Sequence, residues 1–175
     1  MALRGYQLYG STDRIYAKEQ ESPNSSTMPK PQLIESRDHY HIFASVTTRW
    51  KDNDVYGHVN NAVYNAWMDT AVTQFFREHW PGIPDTPIIP VAAETLFTFH
   101  RSISHPDDVE TGFRVERIGS SSVRCGVGVF TKGEKEAAAW GHMVHVWIDN
   151  ESNQAVPIPD DVRRGLESAL MKQKT

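Results

Sequence analysis

One long segment of helical periodicity, residues 61–79, constrains the fold of this chain more than any other feature. Its apolar residues recur at helical spacing and cover most of the helix circumference, so the helix should be largely enclosed by other structure. Strand-like segments lie on both sides of it, at residues 39–50, 88–103, 108–119, 121–131 and 135–149. A short second helix is predicted near the C-terminus, in "DDVRRGLESALMK".

The order strand, buried helix and four further strands predicts an α+β fold, because the sheet must curl around the one helix able to cover its apolar face. This is the plan of the hotdog fold, in which a curved five- to six-stranded antiparallel sheet wraps a long central α-helix. Residues 1–36 are polar and broken by prolines, so we expect an extension or linker there and a domain over residues 37–175. The open edges of such a sheet predict pairing between chains, giving a homodimer or homotetramer.

Composition narrows the classes of partner and location. The 175 residues suit one domain, and the net charge of -4 provides no basic field for nucleic acid. No segment approaches the roughly 18 apolar residues of a membrane span, so no membrane association is expected. The single Cys125 fits a reducing compartment. We therefore expect a cytoplasmic protein, and the arginines and serines of the N-terminus leave a mitochondrial location open.

The segment "DNDVYGHVNN", residues 52–61, places two acids, a histidine and two asparagines at the start of the long helix. Together with that helix it resembles the signature of hotdog-fold acyl-CoA thioesterases of the 4-hydroxybenzoyl-CoA thioesterase type, and it is especially similar to bacterial long-chain acyl-CoA thioesterase III. The resemblance extends over residues 40–165. It implies hydrolysis of an acyl-CoA or acyl-carrier thioester by a dimer that builds each site from two chains, with CoA as part of the substrate and no separate cofactor.

Thioester hydrolysis needs a base or a nucleophile, and hydrogen-bond donors for the oxygen that becomes negative. The first amides of a helix supply such donors, and the helix dipole favours negative charge there. The resemblance implies that Asp54 is the catalytic carboxylate, that His58 orients it or the attacking water, and that the Asn61 amide is the oxyanion donor. Asp69 stands about two turns into the helix, where some relatives carry the essential acid, so the choice between Asp54 and Asp69 stays open.

A second set of residues is predicted to contact the substrate. We expect Asn60 to cap the helix, and the helix start that includes Ala62 to polarise the thioester carbonyl. The acyl chain is expected in an apolar channel walled by the helix and a neighbouring subunit. The helix residues of that wall are Tyr64, Trp67 and Met68, and the "GSSSV" turn offers Ser121 and Ser122 for contact with the CoA arm.

Plainer interpretations stay open for the same residues. Aspartates and asparagines are common in turns and helix caps, so the motif also fits a hotdog protein that binds acyl thioesters without hydrolysing them, an enoyl-thioester hydratase or a scaffold without a ligand. No metal site is predicted, because His142 and His145 are three residues apart on a strand and should lie on opposite faces. Cys125 shares a strand face with valines and should be buried instead of acting as a nucleophile.

Overall fold

The computed structural model describes residues 34–80, 82 and 86–170. Its elements are β1 (Ile42–Val46), α1 (Asn61–His79), β2 (Ile88–Phe99), β3 (Val109–Ile118), β4 (Ser122–Thr131), β5 (Ala139–Asp149) and α2 (Asp160–Ser168). The strands form one antiparallel sheet in the order β1-β3-β4-β5-β2, and this curved sheet wraps α1. The prediction of an α+β hotdog fold is confirmed, with five strands.

The predicted elements agree with the observed ones at the long helix and differ most at the first strand. Helix α1 has the predicted bounds, whereas β1 ends at Val46 and not near residue 50. The chain leaves the sheet there because the Thr48 hydroxyl donates to the Asp107 carbonyl at 3.0 Å, and a 3-10 turn follows at Trp50–Asp52. The predicted second helix ends at Ser168, and residues 171–172 of its sequence lie outside the described residues.

The predicted extension of residues 1–36 lies outside the described residues, apart from residues 34–36. Two of those three residues, Glu35 and Ser36, contact the domain. The Glu35 carboxylate pairs with Arg114 of β3 at 2.8 Å, and Ser36 forms a β-bridge with Glu136. The polypeptide is therefore held against the sheet from this point onward.

Helix α1 is fixed at both ends and enclosed along most of its length. The side chain of Asn60 caps its start, and at its end the Trp80 amide donates to the Phe76 carbonyl. Its buried residues are Tyr64, Trp67, Met68, Ala71, Val72, Phe75 and Phe76. This wide apolar surface packs in two clusters, one with α2 near the helix end and one beneath the helix start. In the described part of the chain, no helix is long and apolar enough to cross a membrane.

Candidate active site

The motif at residues 52–61 folds as a narrow antiparallel hairpin that leads directly into α1. The Asn60 amide donates to the Asp52 carbonyl at 2.8 Å, and the Asp54 amide donates to the His58 carbonyl at 2.8 Å. Between these pairs, Asn53 and Val59 form a β-bridge. Gly57 lies at the tip with φ of +81°, a backbone conformation that glycine adopts without steric cost. The hairpin therefore brings its acids to the start of the helix.

A loop from a distant part of the sequence holds this hairpin in place. The Val59 amide donates to the Ile103 carbonyl at 2.8 Å, and the Ser104 hydroxyl donates to the Gly57 carbonyl at 3.0 Å. The His105 amide donates to the Asn53 side chain at 3.0 Å. No local pattern in the sequence reveals these contacts, because the residues that they join are about fifty positions apart.

The carboxylate of Asp54 is half-buried and oriented by the hairpin itself. Its Oδ1 atom accepts hydrogen bonds from the Tyr56 amide at 2.8 Å and from the His58 amide at 3.4 Å. Its Oδ2 atom has no hydrogen-bond partner among the described residues. One oxygen thus fixes the orientation of the group, and the other is available to a water molecule or a substrate.

Asp52 has a different environment and a structural role. Its side chain is buried, and Oδ2 accepts from the Arg49 amide at 2.7 Å. Its carbonyl receives the Asn60 amide, so Asp52 holds both the 3-10 turn and the hairpin. The two acids of the D-x-D pair differ in burial, because Asp52 is buried and Asp54 is half-buried. In each carboxylate, one oxygen accepts from backbone amides and the other has no hydrogen-bond partner among the described residues.

Among the residues that the structure describes, the first amide of α1 has no hydrogen-bond partner. The Asn60 side chain accepts from the Ala62 amide at 2.9 Å, as predicted for the cap, and the Asn60 carbonyl accepts from the Val63 amide at 2.9 Å. Within the described ranges, no acceptor pairs with the Asn61 amide. Because the cap already occupies Ala62, the donor that remains at the helix start is Asn61. Asp54 lies two residues beyond the Asp52–Asn60 pair, about 7 Å along an extended chain.

The other predicted catalytic residues lie at different distances from this point. His58 is half-buried on the same hairpin, directly opposite Asp54. Asp69 is exposed on α1, eight residues beyond Asn61 and therefore about 12 Å further along the helix axis. Within one chain, Asp54 and His58 lie opposite each other on the hairpin that ends at Asn61, and Asp69 lies about two helical turns further on.

The residues predicted to contact substrate are also divided by the structure. Met68 has no exposed surface and belongs to the core, and Tyr64 is buried against Trp67 and Phe97. Trp67 is buried too, but it lines a groove beside the helix. Burial raises the pKa of the Tyr64 hydroxyl, so this group stays protonated.

Ser121 and Ser122 lie at the opposite end of the sheet from the hairpin. The Ser121 carbonyl accepts from the Trp147 amide at 2.8 Å, beside the core cluster that packs on the second half of α1. The 19 residues of α1 extend about 28 Å. The two serines are therefore roughly a helix length from Asn61 within the same chain.

The two histidines of β5 lie on opposite faces of the sheet, as predicted. His142 contacts Glu94 at 2.5 Å through Nε2 and Arg124 at 2.9 Å through Nδ1. His145 points toward α1 and packs edge-on against Phe76, and its burial lowers its pKa to about 4. In the ranges that the structure describes, no group of three or more histidine, cysteine or acidic residues could hold a metal ion.

Cys125 is fully buried in β4, in agreement with the prediction. Desolvation raises the pKa of its thiol well above the usual range. Because the thiolate is the nucleophilic form, Cys125 cannot serve as a nucleophile in this environment.

The chain belongs to the thioesterase-like superfamily, whose family model matches residues 48–166. Comparison with curated protein sequences gave no match.

Solved structures agree with this assignment. The chain is 34% identical to the PA5185 protein of Pseudomonas aeruginosa strain PAO1, with a TM-score of 0.78 over 81% of this chain and 100% of that chain. It is 30% identical to a thioesterase from Thermus thermophilus complexed with coenzyme A and Zn, with a TM-score of 0.66 over 75% of this chain and 96% of that one. The 1,4-dihydroxy-2-naphthoyl-CoA thioesterase from Synechocystis, at 12% identity and a TM-score of 0.65, shares the fold over 71% of this chain and 93% of its own. Family and relatives together support thioester hydrolysis as the general class of reaction.

Proposed function

We propose that the protein is an acyl-CoA thioesterase of the 4-hydroxybenzoyl-CoA thioesterase type, with Asp54 as base or nucleophile and the Asn61 amide as oxyanion donor. The observation that carries this proposal is the unpaired Asn61 amide at the helix start, on the same hairpin as a carboxylate with one free oxygen. The relative from Thermus thermophilus that is complexed with coenzyme A supports a CoA thioester as the substrate.

In the proposed reaction, the thioester carbonyl oxygen accepts a hydrogen bond from the Asn61 amide. As base, the Oδ2 atom of Asp54 takes a proton from water, and the resulting hydroxide attacks the carbonyl carbon. The oxyanion of the tetrahedral intermediate is stabilised by the amide and by the positive end of the helix dipole. Collapse of the intermediate breaks the carbon–sulfur bond. The leaving CoA thiolate takes the proton from Asp54 and departs as the free thiol. As nucleophile, Asp54 attacks the carbon directly, the carbon–sulfur bond breaks and the CoA thiolate leaves. Water then hydrolyses the mixed anhydride, which releases the acyl carboxylate, regenerates the Asp54 carboxylate and supplies the proton that converts the CoA thiolate to the thiol.

His58 is proposed to position this chemistry and not to carry it out. It lies opposite Asp54 in the hairpin, and its backbone already exchanges hydrogen bonds with that residue. Asp69 is the alternative acid. Its exposure on α1 supports a role only where a neighbouring chain brings it to another hairpin.

We also propose that the active form is at least a dimer, paired through β2. This strand lies at the edge of the sheet, is 12 residues long and leaves Leu96 and Phe99 about half exposed. A long, exposed edge strand with apolar side chains is a template for pairing with a second chain. The proposed acyl channel between subunits and the role of Asp69 both depend on this pairing.

An assay of CoA release tests the function directly. Purified protein is incubated with a panel of aliphatic and aromatic acyl-CoAs and a thiol reagent, and binding of the same compounds is measured in parallel. The proposal predicts release of free CoA from at least one class of acyl-CoA. Binding without release would favour the non-hydrolytic hotdog protein, and conversion of an enoyl-CoA without loss of its thioester would favour the hydratase. Neither binding nor release would favour a scaffold.

A further inference from the structure

Asn53 is the middle residue of the D-N-D sequence, and the proposed reaction gives it no role. Its backbone is extended, so the side chains of Asn53 and Asp54 point to opposite sides of the hairpin. On its own side, the Oδ1 atom of Asn53 accepts a hydrogen bond from the His105 amide at 3.0 Å. Asn53 therefore joins the hairpin to the loop at residues 103–107.

The same loop also holds the tip of the hairpin. The Ser104 hydroxyl donates to the Gly57 carbonyl at 3.0 Å. The Gly57 amide in turn donates to the Asp54 carbonyl at 3.1 Å, which closes the turn at the tip. The loop is thus bonded to the hairpin on both sides of Asp54 in the sequence, at Asn53 and at Gly57.

This loop is itself fixed to the rest of the domain. Its first residue, Ile103, is buried in the cluster beneath the start of α1, and the Ile103 carbonyl accepts from the Val59 amide at 2.8 Å. The Ser104 amide donates to the Asp107 side chain at 3.0 Å, and the Asp107 amide donates to the Ser104 carbonyl at 2.8 Å. The Thr48 hydroxyl donates to the Asp107 carbonyl at 3.0 Å. The loop therefore connects the hairpin to the core of the domain.

Apolar packing does not fix the tip of the hairpin. Val55 and Tyr56, which lie between Asp54 and Gly57, are 93% and 82% exposed. A two-stranded hairpin alone is at best marginally stable in water. Among the described residues, the hydrogen bond from Ser104 is the one that reaches the tip from outside the hairpin. The orientation of Asp54 therefore depends on this loop.

We infer that Asn53 and Ser104 are positioning residues, which hold the Asp54 carboxylate in the orientation that attack on the thioester requires. The inference rests on the proposed function, and both residues act through Asp54 and not on the substrate. A misplacement of about 1 Å can cost about 10²-fold in rate, so the loss of one of these bonds should reduce turnover. Gly57 is exposed, so water can replace the Ser104 hydroxyl at its carbonyl, and the cost in folding stability should be small.

Three serine variants separate positioning from a general effect on the fold. Ser104→Ala removes the hydroxyl, Ser104→Thr keeps it, and Ser102→Ala changes an exposed serine just before the loop, whose side chain forms no hydrogen bond with the described residues. With an acyl-CoA that the wild type hydrolyses, Ser104→Ala should lower kcat by about ten-fold or more and leave CoA binding unchanged. Ser104→Thr should restore most of the rate, and Ser102→Ala should keep it. Asn53→Leu, which removes the acceptor for the His105 amide, should also lower kcat.

Amide exchange measured by NMR tests the orientation of Asp54 without turnover. The Tyr56 and His58 amides donate to the Asp54 carboxylate, at 2.8 and 3.4 Å. In Ser104→Ala both amides should exchange several-fold faster, while the Ala62 amide at the helix start keeps its rate.

The two measurements distinguish this inference from the proposed function. Wild-type exchange together with wild-type kcat in Ser104→Ala would overturn the inference, and so would an equal loss of kcat in Ser104→Ala and Ser102→Ala. A wild type that hydrolyses no thioester, beside faster exchange of the two amides in Ser104→Ala, would refute the proposed hydrolysis and support the role of Ser104 in orienting Asp54.

Discussion

At the scale of single residues, the start of α1 depends on one side chain. The Asn60 carboxamide accepts the Ala62 amide and thereby leaves the Asn61 amide as the available donor. Replacing Asn60 with Ala should lower the free energy of unfolding by about 1 kcal/mol, because the cap is lost. Denaturant unfolding measures this change. The control is Thr73→Ala in the exposed middle of the same helix, where alanine should cost nothing, and an equal loss in both variants would argue against a capping role.

A second prediction at this scale concerns His145. Its pKa is lowered from 6.5 to about 4 by burial, so the folded protein keeps it neutral while the unfolded chain binds a proton below pH 6.5. The unfolded state then holds more protons, and stability falls as the pH drops from 6.5 toward 4, by at most about 3 kcal/mol. His145→Gln should lose this part of the pH dependence of the free energy of unfolding, whereas His41→Gln, at an exposed site, should retain it. Identical profiles for both variants would contradict the account.

At the scale of elements, the pairing of β2 with β5 depends on Gly141. A Cβ atom there would overlap the backbone carbonyl oxygen of Leu96 in the neighbouring strand, and a paired strand cannot move aside easily. Gly141→Ala should therefore cost about 3 kcal/mol or more. Gly133 is a matched control, because it has φ of +87° and open space, so alanine there pays only about 1 kcal/mol of backbone strain. Thermal unfolding of the two variants separates crowding from strain, and equal losses would refute the crowding argument.

The sequence predicted these elements well because their patterns are local. The apolar periodicity of residues 61–79 has the bounds of α1, and each strand segment contains an observed strand. The residues of the candidate site were harder to predict from the sequence than the elements were. The motif predicted Asn60 as the helix cap, which the structure confirms, whereas the roles of Asp54 and Asn61 stay predictions. Met68 was predicted as a channel wall and lies in the core. A helix that is apolar on most sides does not reveal which side faces a cavity.

At the scale of the whole molecule, the proposed pairing of two chains can be tested at the exposed β2 edge. If chains pair through β2, Leu96→Lys should weaken the association, because a charge on an edge strand opposes pairing. Light scattering after size-exclusion chromatography measures the mass of each species. The expected result is a shift toward the monomer together with reduced CoA release. A wild type that is monomeric and fully active would contradict the proposed assembly.

The central claim is that the Asp54 carboxylate drives attack on a thioester held by the Asn61 amide. The most direct test compares kcat/KM for CoA release by the wild type, Asp54→Asn and Asp69→Asn, with CoA binding measured for each. Loss of a general base should reduce the rate of Asp54→Asn by about 10²-fold or more without weakening CoA binding, while Asp69→Asn retains more activity. Near-wild-type turnover by Asp54→Asn, above all beside an inactive Asp69→Asn, would contradict the claim and make the acid on the helix the essential one.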